Sequence, residues 1–170
     1  MPTAIYPGSF DPVTLGHIDI VTRASKMFDK IVMAVVKNTN KSSLMTLEER
    51  VSLIQDCTAH LKNVTVQGFD GLTVDLARKH KAKVIIRGLR AVSDFEFEFM
   101  MSQMNKSLNA EVETLFMMAG LEYQFLSSSL VKEVAKLGGD ISKVVPAQAE
   151  ALIKEKTARL KQLNEAGQSL

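Results

Sequence analysis

Cysteine occurs once in the 170 residues, at Cys57. That excludes an intramolecular disulfide and a zinc cluster of several thiolates, and nothing marks an oxidising compartment. Long apolar runs are missing too: no stretch approaches the roughly 18 apolar residues of a membrane helix. The opening Met-Pro-Thr-Ala-Ile-Tyr-Pro-Gly lacks the basic start and apolar run of a signal peptide. A cytoplasmic protein with no membrane contact is expected. An excess of one charge is also absent, since 21 Lys and Arg face 19 Asp and Glu for a net +2. Such a balance argues against a nucleic-acid binder but leaves room for a small anion held by a few local cations. No Asp, Glu or His cluster has ligand spacing, so no protein-held metal site is expected. Repeats, linkers and low-complexity tracts are not found.

What is present is the mix of a soluble globular chain, 46 % hydrophobic and 24 % charged. We expect a single domain over residues 1–170, with residues 147–170 forming a C-terminal helix and tail. Short β-branched runs at Thr3–Tyr6, Ile31–Val36, Val64–Gln67, Lys83–Arg87 and Val112–Met118 predict strands, several apolar on both faces. Helical stripes lie between them: Ile18, Val21, Ala24 and Phe28; then Leu47, Val51, Ile54 and Leu61, opened by the capping-box pattern Thr46-Leu-Glu-Glu49. A third, shorter helix is expected around Leu72, Leu76 and Ala77. Later, Ser129–Leu137 should stop at Gly138-Gly139, and Pro146 should open a last helix reaching about Leu163, with a frayed tail from Glu165. Strands alternating with helices predict an α/β fold: an open, doubly wound, parallel five-stranded sheet of Rossmann-like type with C-terminal helices. Ligands in such sheets bind beyond the carboxyl ends of the strands.

One segment is ambiguous. Phe95-Glu-Phe-Glu-Phe99 alternates like a strand, yet Ser93-Asp-Phe-Glu96 reads as a capping box, and Phe97, Met101, Met104 and Leu108 continue at helical spacing. A helix is therefore predicted, apolar on more than one side. That pattern fits either a subunit interface, a lined pocket or plain core burial.

The first loop, Tyr6-Pro-Gly-Ser-Phe-Asp-Pro-Val-Thr-Leu-Gly-His17, follows strand one and enters the first helix. His17 falls in that helix's first turn, where free N–H groups and the dipole favour an anion. The loop has neither Gly-x-Gly-x-x-Gly nor the Gly-Lys-Ser/Thr of a P-loop. A plain structural turn remains open on these residues alone. Arg87 and Arg90 flank the end of strand four across Gly88-Leu89, a placement that favours a functional pair over a structural one. Lys41, in Asn40-Lys-Ser-Ser, reads by itself as a solvated loop lysine. Cys57 reads as inert packing, and His60 and His80 as surface residues near helix ends.

Several separated motifs carry a resemblance. Thr14-Leu-Gly-His17 resembles the Thr/His-x-Gly-His signature of the nucleotidyltransferase superfamily, and Leu126-Ser-Ser-Ser-Leu-Val-Lys132 its serine-rich turn. Ile85-Ile-Arg-Gly-Leu-Arg-Ala91 with Asp94-Phe-Glu-Phe-Glu98 is similar to one family specifically, the bacterial phosphopantetheine adenylyltransferases. The likeness spans about Ala4 to Pro146. It departs in detail at Lys37-Asn-Thr-Asn40 and Met117–Glu122, and the chain beyond Ala147 is longer than the family needs.

The resemblance implies transfer of an adenylyl group from ATP to 4′-phosphopantetheine, giving dephospho-coenzyme A and pyrophosphate in coenzyme A biosynthesis. It implies His17, Lys41 and Arg90 as the catalytic set, with His17 donating a hydrogen bond to stabilise the transition state. For ATP it implies Ser9, Phe10, His17, Gly88, Leu89, Arg90 and Glu98, with the segment Tyr123, Gln124, Phe125, Leu126, Ser127, Ser128 and Ser129. For the acceptor it implies Ser9, Lys41, Thr73 and Arg87, with Leu72, Met101, Met104 and Asn105 as plausible walls. Mg²⁺ would be held mainly through nucleotide phosphates, coenzyme A is implied as a feedback ligand, and a homohexamer is common among such proteins. The chemistry is coherent: the acceptor phosphate is already ionised, so positioning and charge stabilisation, not a base, should do most of the work. The alternatives are another small-molecule nucleotidyltransferase, which would lack the Arg87–Arg90 and Asp94–Glu98 run, and a non-catalytic nucleotide-binding module.

Overall fold

Tyr6 and Ile5 lie on opposite faces of the first strand, and each face meets its own apolar layer. In the computed structural model, which describes residues 2–37 and 43–167, five parallel strands form one sheet. They are β1 (Thr3–Gly8), β2 (Lys30–Val36), β3 (Val64–Phe69), β4 (Val84–Leu89) and β5 (Glu113–Met118), in the order β3-β2-β1-β4-β5. All five predicted strands are present. Most run a residue or two past their predicted ends, because the ladder keeps pairing Gly8 with Val35 and Leu89 with Met118.

On one face, Ile31, Met33 and Val35 of β2 pack with α1 (Leu15–Ser25), α2 (Leu47–Thr58), α5 (Ser128–Lys136) and α6 (Ala147–Gly167). On the other, Val32 and Ala34 pack with α3 (Thr73–Lys79), and α4 (Val92–Leu108) lies beside it. Period-two alternation with both faces apolar is what a sheet covered by helices on both sides demands. The doubly wound arrangement holds.

Local signals fare unevenly. Thr46 does cap α2: Glu49 N–H donates to its Oγ1 (3.2 Å), and Thr46 N–H donates to Glu49 Oε2 (2.9 Å). The second expected box does not form, because α4 begins at Val92 with Ala91 in the extended N-cap position, so Ser93 is already helical. Gly138 ends α5 at a left-handed φ of 79°, as a glycine stop should. α6 continues to Gly167, past the expected Leu163 and into the stretch expected to fray. Early in α6, Ala149 and Ile153 are fully buried in the main core, and Lys156 pairs with Glu49 of α2. Burying an isoleucine this way contributes about 1.5–3 kcal/mol.

Chain order reverses at β1 and β4, which are neighbours in the sheet but not in sequence. Their carboxyl ends open a crevice between divergent connections, the place where open α/β sheets bind ligands.

Candidate active site

Past Gly8 the chain runs through Ser9, Phe10 and a cis Asp11–Pro12 bond before Thr14 opens α1. Phe10 holds a left-handed φ of 46°, costly for a bulky residue. Its buried ring stands edge-on to Tyr6 (5.4 Å between centroids) and to His17 (5.1 Å). A Cβ on Gly8 would lie 2.8 Å from Phe10 Cζ, so this close approach requires a residue without a side chain.

His17 is the third residue of α1. Thr14 N–H donates to its Nδ1 at 3.0 Å, with Thr14 Oγ1 also 3.0 Å from that nitrogen. An accepting Nδ1 puts the hydrogen of the neutral ring on Nε2, ready to donate. Burial lowers the imidazole pKa to about 4, with Arg90 and Arg87 pushing the same way. The ring is therefore a neutral donor at ordinary pH.

The two arginines are held differently. Arg87 Nε and Nη2 donate to Glu98 Oε2 (2.6 Å) and Oε1 (2.5 Å), while Nη1 donates to Pro7 O (3.1 Å). Burial works against its charge, but the bonds and charge of Glu98 outweigh it, so its pKa lies above the ordinary value. Arg90 Nε and Nη2 donate to Asp94 Oδ2 and Oδ1, both at 3.0 Å, and Nη1 donates to Leu126 O (3.1 Å). Hydrogen bonds from Arg90 hold the Asp94 carboxyl below its usual range. Asp94 and Glu98 stand four residues apart, so a single face of α4 orients both guanidinium groups.

The serine turn closes the other side. Ser127 caps α5, its Oγ accepting from Leu130 N–H (3.0 Å), and Ser128 Oγ donates to Pro12 O (2.7 Å). Neither α1 nor α5 has an acidic residue in its first turn, so both helix starts turn positive dipole ends without a carboxylate partner towards the cleft.

These groups line a cleft of about 320 Å³. Ser9, Phe10, His17, Arg87, Gly88, Arg90, Tyr123, Leu126, Ser127, Ser128 and Ser129 all meet there, joined by Tyr6, Thr14, Gly16 and Ile20. A smaller cavity of about 70 Å³ adjoins it, lined by Thr73, Phe97, Glu98, Met101 and Asn105. Pro7 and Arg87 belong to both. Glu98 thus stands behind Arg87 rather than beside the serines. Gln124 and Phe125 fall outside the cleft lining, Leu89 is buried in the strand, and Leu72 and Met104 face solvent. Lys41 lies outside the described residues.

One other reading needs adjusting. His60 is exposed as expected, but His80 is half-buried, its Nε2 without a partner among the described residues. Cys57 is buried, which pushes its thiol up to about 11, in keeping with inert packing. Sequence reasoning missed Asp11, Arg50, Asp19 and Asp94. Asp19 binds Arg23 and accepts from Gly120 N–H (3.1 Å), which fixes the turn after β5. Spacing signalled only Asp94, four residues from Arg90.

The geometry is one that can receive anionic groups at the switch point of a parallel sheet, with fixed donors and no Asp or Glu among the described residues that line the larger cleft. The family model for cytidylyltransferase-like proteins matches residues 5–134. A phosphopantetheine adenylyltransferase from Methylococcus capsulatus is 53 % identical over 92 % of the chain and 96 % of its own length. Another, from Heliobacterium modesticaldum, is 54 % identical over 92 % of the chain and 93 % of its own length. Among solved structures, a candidate nicotinate-nucleotide adenylyltransferase from Vibrio parahaemolyticus superposes with a TM-score of 0.68 at 21 % identity, covering 94 % of this chain and 96 % of that one. That likeness establishes the fold. The chain belongs to the cytidylyltransferase-like family and, within it, to the phosphopantetheine adenylyltransferases.

Proposed function

We propose that this protein transfers the adenylyl group of ATP to 4′-phosphopantetheine, forming dephospho-coenzyme A and pyrophosphate, a step of coenzyme A biosynthesis. The observation that carries the reading is Arg87, shared between the larger cleft and the smaller cavity. A two-substrate reaction needs one cation where the phosphates of both partners meet. The nucleotide takes the larger cleft, its phosphates against His17, Arg90, Ser9 and the serine turn. The acceptor's phosphate sits at Arg87 and its arm enters the smaller cavity past Thr73, Met101 and Asn105.

A phosphate oxygen of the acceptor attacks the α-phosphorus in line. The new P–O bond forms as the bond to the bridging oxygen of the β-phosphate breaks, and the electron pair leaves with pyrophosphate. His17 donates from Nε2 to the oxygen on which charge grows. No base is needed, because the nucleophile is ionised before it binds. Donors already fixed by their partners require little reorganisation at the moment of reaction. Lys41 completes the set as a phosphate contact on both substrates.

Nucleotidyl transfer generally uses a divalent metal, here Mg²⁺. Such an ion would be held mainly through the nucleotide phosphates and would neutralise their charge. Among the described residues no group of three His, Cys, Asp or Glu side chains converges to hold one. Coenzyme A shares the acceptor's arm and is the expected feedback ligand. The chain self-associates, as a hexamer on the family resemblance, through the apolar outer face of α4. No helix of the described residues is long and apolar enough to cross a membrane. The lone cysteine suits a reducing cytoplasm.

The test incubates purified protein with ATP, Mg²⁺ and 4′-phosphopantetheine, following pyrophosphate release and the product's mass. Dephospho-coenzyme A is expected. Folded protein that binds ATP yet forms no such product would overturn the assignment.

A further inference from the structure

Asp11 is 5 % exposed and makes no contact assigned above to either substrate. Its carboxylate nonetheless accepts three hydrogen bonds from two distant parts of the chain. Leu44 N–H donates to Oδ2 (2.9 Å), Met45 N–H to Oδ1 (3.0 Å), and Lys132 Nζ to Oδ2 (3.0 Å). Lys132 belongs to α5, the helix that the serine turn opens. Next to it, Pro12 O receives Ser128 Oγ. A second buried charge works on the same loop from below. Arg50 donates through Nη1 to Ser9 O (2.7 Å) and Val36 O (3.1 Å), and through Nε to Thr46 O (3.2 Å).

Two buried charged side chains, Asp11 of the loop and Arg50 of α2, bond to or from the loop, and such charges are costly to desolvate unless well paired. Here nearly every bond runs between segments rather than within one. Asp11 fixes how far Ser9 and Phe10 stand from the α5 start and from the 44–45 backbone. Phe10 in the same stretch is packed in the core at a left-handed φ of 46°, so these bonds add to a loop whose backbone is irregular.

We propose that Asp11 is a positioning residue: it holds the β1 loop and the serine-headed helix α5 at the separation that aligns the nucleotide's phosphates for in-line attack. Lys132 is its partner in that role. A shift of about 1 Å in such an alignment costs on the order of 100-fold in rate, far more than it costs ground-state binding. This inference rests on the adenylyl-transfer reading.

The test compares the parental protein with Asp11→Asn and Lys132→Met for melting temperature, for ATP affinity by calorimetry, and for kcat and KM of dephospho-coenzyme A formation. Asp11→Asn keeps one acceptor oxygen and the size of the side chain but loses the charge. It is expected to lower kcat about 30-fold, with KM for 4′-phosphopantetheine within about threefold and ATP affinity down about fivefold. Lys132→Met should shift the same parameters the same way, by a smaller factor of about five. A purely structural role would lower the melting temperature and leave kcat of the folded protein intact. A kcat within twofold of parental in folded Asp11→Asn overturns the proposal. Should that variant not fold, Lys132→Met decides by the same twofold criterion. If the parental protein forms no product, the adenylyl-transfer reading is what fails. The ATP arm then decides the Asp11 role alone, unchanged affinity in both variants overturning it.

Discussion

The cleft and the outer face of α4 treat water in opposite ways. In the cleft, polar and charged groups are partly withdrawn from water and each is held by a named partner: His17 by Thr14, Arg87 by Glu98 and Pro7, Arg90 by Asp94 and Leu126. On α4, large apolar side chains stay in water instead. Met100 is 62 % exposed and Met104 57 %, with Phe97 at 59 % and Val92 at 88 %. The same helix supplies both regions, since its inner face carries Asp94 and Glu98 and its outer face the methionines. An exposed apolar patch of this kind marks an interaction surface. What the contrast teaches is that the arginines are only as well placed as α4, and α4 is only half supported by its own chain.

The comparison breaks hardest inside the cleft. His17→Ala removes a fixed donor and should lower kcat by about 100- to 1,000-fold, with ATP affinity changed by less than about fivefold. Steady-state kinetics beside calorimetry separate the two. Equal losses in rate and binding would reduce His17 to a ground-state contact. A smaller effect follows on the inner face of α4. Glu98→Gln keeps the shape but removes the charge that orients Arg87, and should lower kcat/KM for 4′-phosphopantetheine about tenfold, leaving KM for ATP nearly unchanged. An equal change in both KM values would place Glu98 on the nucleotide instead.

The outer face gives the next test. Met100→Glu with Met104→Glu puts two charges on the patch without touching the cleft lining. Sedimentation velocity should show the parental protein as an oligomer and the double variant as a smaller species. Activity should fall modestly, by about three- to tenfold, through lost support of the arginine partners. A parental protein that is monomeric at micromolar concentration would detach the two regions from one another.

How much of this was readable depends on the reach of each interaction. The Thr46 cap was legible because donor and acceptor lie three residues apart, and so was the Gly138 stop. The Ser93 pattern was as good, but Ala91, extended, takes the N-cap place two residues earlier. The convergence of His17, Arg87 and Arg90 was legible because strand ends in a parallel sheet share one edge, whereas the serines at the start of α5 were placed with them only by the family resemblance. Partner choice was not. Nothing in the spacing tells that Glu98 orients Arg87, and Asp11 finds its partners 33, 34 and 121 residues away. For α4 the double stripe was plain in sequence, but its exposure follows from the sheet's edge, since β5 ends the ladder and leaves little to cover the helix.

The smallest expected effect concerns pH. His17 has a folded pKa near 4 against an ordinary value of 6.5, so between these values the unfolded chain binds the proton that the folded one refuses. Stability therefore rises with pH through that window, is complete above 6.5, and loses the imidazole's part as pH falls towards 4. Catalysis should not feel the imidazole near 6.5 at all, because the ring is already a neutral donor there. The acceptor's own phosphate titrates with a second pKa of about 6, so the rate profile alone would mislead. Nitrogen NMR of the free protein resolves the matter, with His17→Gln assigning the signal. Nδ1 should keep its unprotonated shift and Nε2 its proton from pH 8 down to about 5. A ring that titrates near 6.5 would mean that the cap and burial do not hold His17 neutral, and the cleft would then carry a further cation rather than a fixed donor.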